Sequence, residues 1–140
     1  MPVVLGYDES PGAVHALRAA IEVASAWDET LVLVFGAAAP GTPGEEYQSH
    51  AEAIRQTGRT ALAHAVQAAE AAGVAASVEV IDDKPAQALL EAAARHDARV
   101  IVVGTYGESP MKGALLGSTP HRLLHLSTVP VLCVPAPAGP

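Results

Sequence analysis

Gly104, Gly107, Gly113 and Gly117 share one connecting stretch, and Ser118 and Thr119 directly follow the last of them. The stretch leaves a β-branched run, Val100-Ile101-Val102-Val103, and leads into a helical pattern. Glycine lets a backbone come within hydrogen-bonding distance of a ligand with no Cβ in the way. A helix start adds unpaired N–H groups and the positive end of the dipole, and two hydroxyls add further donors. Together these make an anion cradle suited to phosphate. In a chain of net charge −7, backbone donors can hold an anion where cationic side chains are scarce. Two other cradles are excluded by their strings. No Gly-x-x-x-x-Gly-Lys-Ser/Thr occurs, and the first apolar run is followed by Gly6-Tyr7-Asp8-Glu9 rather than Gly-x-Gly-x-x-Gly.

Such a loop needs a scaffold. Five short apolar runs alternate with longer helical patterns: Val3 to Leu5, Leu31 to Phe35, Val78 to Ile81, Val100 to Val103 and Val131 to Val134. Continuous apolar runs are how strands read when both faces are covered. Ser77-Val78-Glu79-Val80 alternates instead and reads as an edge strand. Ser10-Pro11 is an N-cap with proline at the first helical position, followed by Val14, Leu17, Ile21 and Ala24 as one apolar stripe. A long helix is predicted from Glu45 to Ala72, with Ile54, Leu62, Val66 and Ala69 inward and Gly73 closing it. Lys84-Pro85 opens a third helix carrying Leu89, Leu90 and Ala93. A fourth begins near Thr119-Pro120 and carries Leu123, Leu124 and Leu126. This β-α-β-α-β-α-β-α-β order requires right-handed parallel crossovers, hence one open parallel α/β sheet of five strands with helices on both faces.

In such a sheet ligands bind outside the carboxyl ends of the strands. Three stretches meet there: Gly6 to Ser10, Phe35-Gly36 with the loop to Glu46, and the glycine-rich stretch. The loop from Gly36 to Glu46 has the composition of a lid. The chain has 140 residues, half of them hydrophobic and 16% charged, so it reads as one domain with a real core. Its acidity makes nucleic acid and anionic membrane surfaces poor partners. No apolar run approaches the roughly 20 residues of a membrane helix, and the opening MPVVLGYDES carries no basic, signal-like segment. A cytoplasmic protein is expected. Cys133 is the only cysteine, so an internal disulfide is excluded, and its apolar strand makes it a small buried hydrophobe.

Gly104-x2-Gly107-x9-Gly117-Ser118 resembles the nucleotide-binding motif of the universal stress protein family. The opening VVLGYDES resembles that family's first strand and aspartate, and the closing STVPVLCVP its last strand. The resemblance covers residues 1–135 as one domain, with 136–140 as a flexible tail. It implies a Rossmann-like fold of strand order 3-2-1-4-5 and an ATP site, with Mg²⁺ as a candidate companion. By position it implies that Asp8 holds the ribose and that Gly6 and Tyr7 line the site through backbone. Val34 or Phe35 flanks adenine, and Val103 and Gly104 lie under the nucleoside. Gly107, Gly117, Ser118 and Thr119 hold the phosphates. It also implies a homodimer paired through the last strand, Pro130 to Val134. The sequence departs from the pattern at Glu108, a carboxylate beside the phosphate glycines, and at Pro120, which has no N–H to give. Asp83-Lys84-Pro85 also stands where relatives often have a glycine before the proline.

Plainer readings stand beside these. The glycines can serve turns, Asp8 can support the helix cap at Ser10, and Phe35 can be core. His121 and His125 have ligand spacing but no third ligand beside them, so surface histidines are expected. Asp82-Asp83 reads as a solvated strand end. No nucleophilic triad or paired-carboxylate arrangement assembles, so no catalytic residue is assigned. Three functions compete: a nucleotide-binding regulatory protein, a slow ATPase for which only Lys112 and Arg122 offer positive charge, and a dimeric interaction module without nucleotide. A response-regulator receiver is excluded, since no lysine follows the fifth strand.

Overall fold

The computed structural model describes residues 1–39, 41, 44–105 and 116–136. Along the chain run β1 (Val3–Gly6), α1 (Pro11–Trp27), β2 (Leu31–Gly36), α2 (Glu45–Ala71) and β3 (Ala76–Ile81). Then follow α3 (Pro85–His96), β4 (Val100–Gly104), α4 (Ser118–Leu126) and β5 (Val131–Val134). The strands form one parallel sheet, as the alternation of elements requires, in the order β3-β2-β1-β4-β5 that the family resemblance implies. β1 sits between β2 and β4, with Val3 opposite Leu31 on one side and Val100 on the other. β3 begins two residues earlier than its apolar run suggests, because Ala76 and Ser77 pair with Leu31 and Val32.

Alternate residues of each central strand feed opposite cores. Val3, Leu5, Leu31, Leu33 and Val102 pack against α1 and α2. Val4, Val32, Val34, Ile101 and Val103 pack against α3 and Leu123 of α4. The helix faces that meet the sheet are mostly alanine: Ala13, Ala16, Ala20 and Ala24 on α1, and Ala86, Ala88, Ala92 and Ala93 on α3. Small side chains let these helices lie close to the strands. Val14 and Ile21, expected on the inward stripe of α1, are therefore only half-buried, while Leu17 and Ala24 are buried.

Ser10 caps α1 as its sequence predicts, its Oγ accepting the Ala13 N–H at 3.3 Å. Gly73, at φ +79°, closes α2, and the Val74 N–H reaches back to the Ala69 carbonyl at 2.9 Å. α4 departs from expectation. It starts at Ser118, and of its three leucines only Leu123 is inward; Leu124 and Leu126 are 54% and 50% exposed. No helix among the described residues is long and apolar enough to cross a membrane. Residues 137–140 of the expected tail, and positions 40, 42 and 43 of the expected lid, lie outside the described residues.

Candidate functional site

A cleft of about 170 Å³ opens at the carboxyl edge of the sheet. It lies over β1 and β4, where the strand order reverses direction. Its lining holds Gly6, Tyr7, Asp8, Val34, Phe35, Val103, Gly104, Gly117, Ser118 and Thr119, all of them singled out in the sequence. Gly107, with Glu108 and Lys112, lies outside the described residues. Ala13, Pro85 and Leu89 also line the cleft and were not singled out for it.

The β1–α1 loop supplies the polar centre. Tyr7 donates its N–H to the Val34 carbonyl at 2.9 Å, extending the ladder, while its side chain is 5% exposed within the core. Burial first, and then the charges of Glu9 and Asp8, raise the Tyr7 hydroxyl above its ordinary pKa. Asp8 is exposed, and its Oδ1 accepts the Ser10 N–H at 3.0 Å. The carboxylate therefore does support the turn before the helix cap, and it does so from within the cleft lining. Glu9 occupies the left-handed region at φ +64°, a conformation that costs free energy for a residue with a side chain. Its carboxylate meets His64 Nδ1 of α2 at 2.5 Å, tying the loop to that helix.

Three strands end on glycine at this edge, and each is closely approached. A Cβ on Gly6 would lie 2.9 Å from Cδ1 of Leu89, whose buried side chain floors the cleft beside Val103. A Cβ on Gly36 would lie 2.7 Å from the Pro85 Cα and 2.9 Å from the Asp83 carbonyl. A Cβ on Gly104 would lie 3.0 Å from the Gly12 carbonyl. Gly104 thus has a structural reason, the passage of α1, beside any ligand. Phe35 is half-buried, with its ring against Gly58 of α2. It belongs to the packing around the core and to the cleft at once.

At the far end stands the start of α4. Gly117 is its N-cap, at an ordinary φ of −61°. Its N–H donates to the Thr105 carbonyl at 2.7 Å, closing the base of the glycine-rich stretch. What Gly117 offers a ligand is close approach, not a donor. Helix geometry leaves the N–H groups of Ser118 and Thr119 without intrahelical partners, and their hydroxyls stand beside them. Pro120 follows, buried and without an N–H. The Thr105 Oγ1 is buried with no hydrogen-bond partner among the described residues. Asp8 is the one charged side chain among the described lining residues. His121 and His125 lie outside this lining, both exposed, with their rings edge-on at 4.7 Å. Among the described residues no group of three possible ligands gathers for a metal.

The cleft therefore has three zones. Val34, Phe35, Gly36, Pro85 and Leu89 form an apolar end, Asp8 is a central carboxylate, and α4 supplies a donor-rich end. β2 and β4 flank β1, so the two ends are about two strand spacings, roughly 10 Å, apart. This geometry accepts a flat apolar group, a hydroxylated middle and an anion, in that order.

The Universal stress protein family model matches residues 1–135. A universal stress protein of Methanocaldococcus jannaschii is 30% identical over 139 residues, covering 96% of this chain and 82% of that protein. A universal stress protein of Mycobacterium tuberculosis is 30% identical over 143 residues; it takes in 94% of this chain, which spans only 44% of that longer relative. Among solved structures, a universal stress protein in complex with cAMP superposes with a TM-score of 0.76. It is 26% identical and covers 97% of both chains.

Proposed function

The chain belongs to the universal stress protein family, and from that premise we propose that its cleft binds an adenine nucleotide and that the bound state has a regulatory role. The observation that carries this reading is the order of the three zones along the cleft. An adenine ring suits the apolar end at Val34 and Phe35. A ribose diol suits the exposed Asp8 carboxylate, which repels a phosphate and so favours one orientation. Phosphate suits the N–H groups and hydroxyls of Ser118 and Thr119 at the α4 start. The cAMP found in a 26% identical relative of matching fold supports the ligand class. We take ATP, with Mg²⁺ as a candidate companion, as the physiological form, with Gly117, Ser118 and Thr119 at the end of the cleft that would hold its phosphates.

The regulatory reading uses the β5 edge of the sheet. β5 is an edge strand, and Leu132 on it is 37% exposed. Leu132 is in register with Val102 on the α1 face of the sheet, while Leu124 and Leu126 lie on α4 across it, so what a second copy would share is the β5 edge itself. A homodimer paired through Pro130 to Val134 would lie one strand from β4 and the cleft, close enough to be biased by a ligand.

A second reading, an interaction module that takes no nucleotide, draws on two features of α4. The Gly117 N–H is committed to Thr105, and Pro120 contributes none. One experiment separates the two. Freshly purified protein is denatured, and the released small molecules are identified by chromatography and mass spectrometry. The nucleotide reading expects AMP, ADP or ATP in the supernatant, or binding of added nucleotide by the stripped protein. Absence of both would favour the second.

A further inference from the structure

Position 58 breaks the pattern of its own helix. The buried positions of α2 around it are Ala51, Ala61, Leu62, Ala65 and Ala69, so alanine is the small residue this stripe uses. Gly58 is buried too, seven residues from both Ala51 and Ala65. Glycine in a helix interior is disfavoured against alanine, because it loses more backbone freedom on folding. The packing supplies the reason. A Cβ at 58 would lie 2.4 Å from Cδ1 of Phe35, 2.7 Å from its Cγ and 2.8 Å from its Cε1. One edge of the ring rests on bare helix backbone. Phe35 is the only phenylalanine of the chain. A leucine over an alanine would fill the same layer with residue types used throughout the rest of it.

We propose that Gly58 is a positioning residue of the cleft, acting through Phe35. By seating the ring against α2, it holds the apolar end open to a planar ring of the ligand. None of the described lining residues comes from α2, so this wall is set from outside the lining. The opposite wall cannot adjust. Gly36 is closed in by the backbone of Pro85 and Asp83, at 2.7 and 2.9 Å from a Cβ built there. A side chain added at 58 therefore acts on the movable wall, the Phe35 ring, and narrows or tilts the base end while the donors at α4 stay as they are. The proposal rests on the nucleotide reading above and adds to it what sets the fit of the base.

The test uses AMP as the probe and four proteins: wild type, Gly58→Ala, Phe35→Leu and the double variant. Because the chain has one phenylalanine, isotope labelling of that residue type reports this ring alone by NMR. The ring signals of the wild type are expected to shift when AMP is added. Gly58→Ala should move them without ligand and weaken AMP binding by about tenfold. The double variant, whose new Cβ meets no ring, should bind AMP within about twofold of Phe35→Leu. The proposal is overturned if the ring signals of Gly58→Ala stay in place. It is equally overturned if they move while AMP affinity remains within about twofold of wild type, or if the double variant binds about tenfold more weakly than Phe35→Leu. Should Gly58→Ala alone not fold, that last comparison decides. A wild type that binds neither AMP nor ATP overturns the nucleotide reading and this proposal together, and it does so before any variant is made.

Discussion

Asp8→Asn separates two roles held by one carboxylate. Asp8 Oδ1 accepts the Ser10 N–H at 3.0 Å, and an asparagine side-chain oxygen can accept the same bond, so the turn survives. What is lost is the charge. A hydrogen bond to a charged group contributes about 1.5–3 kcal/mol and a neutral one about 0.5–1.5. The difference of about 1.4 kcal/mol is a tenfold loss of affinity for a ribose diol. Asp8→Ala removes both roles. Because the turn bond is only part-buried, its loss should cost about 0.5–1 kcal/mol, or about 2–4 °C in Tm for a domain of this size. The assays are calorimetric titration with AMP and thermal melting without ligand. Asp8→Asn should melt as wild type does and bind about tenfold more weakly, while Asp8→Ala should lose both. An asparagine variant with wild-type affinity would mean the carboxylate serves the turn alone, and the ribose assignment would fall.

Further outcomes follow from the same geometry. Gly36→Ala forces a Cβ against backbone at 2.7 Å and should destabilise by about 1–3 kcal/mol, read by chemical denaturation against wild type. Tyr7 has a hydroxyl pKa raised above about 10 by burial and by its acidic neighbours. Its contribution is whole below pH 10 and is lost as pH rises from there through the folded value, since the unfolded chain ionises first. Tyr7→Phe should therefore lose less stability than wild type as pH rises above about 10, read by melting at each pH. Leu132→Glu should abolish self-association in analytical ultracentrifugation while leaving the AMP affinity of the monomer within about threefold; an unchanged sedimentation profile would remove β5 as the interface. Leu89→Ala, at a site 1% exposed, should cost about 2–5 kcal/mol.

The sheet was legible because most of its strands carry continuous apolar runs and two of its helices open on a proline at the first helical position. Ser10-Pro11 and Lys84-Pro85 mark helix starts without any tertiary information. The alternating Ser77 to Val80 correctly marked an edge strand, since β3 has a neighbour on one side only. The ends of α1 and α3 carried no such signal. Both close on an aspartate in the left-handed region, Asp28 at φ 53° and Asp97 at φ 51°, where glycine is the usual cue. The inward stripes were misjudged where side-chain size was taken as the guide. Alanine-rich faces win close packing on α1, and Leu124 and Leu126 face outward because only Leu123 points toward the β4–β5 layer. Local strings reached the cleft residues of the loops but not Leu89 or Ala13, which enter it from helices. Nothing local could reveal that the Gly117 N–H closes onto Thr105, or that Gly58 packs against the Phe35 ring, because both depend on segments distant in sequence meeting in space.

Calorimetry on protein stripped of small molecules decides whether the cleft binds an adenine nucleotide. AMP, and ATP with and without Mg²⁺, are titrated into the wild type. One nucleotide per chain, with a micromolar Kd, a binding free energy of about −8 kcal/mol, that Asp8→Asn weakens, is the predicted result. No saturable binding of either nucleotide up to millimolar concentration, by a protein that melts cooperatively, would contradict it.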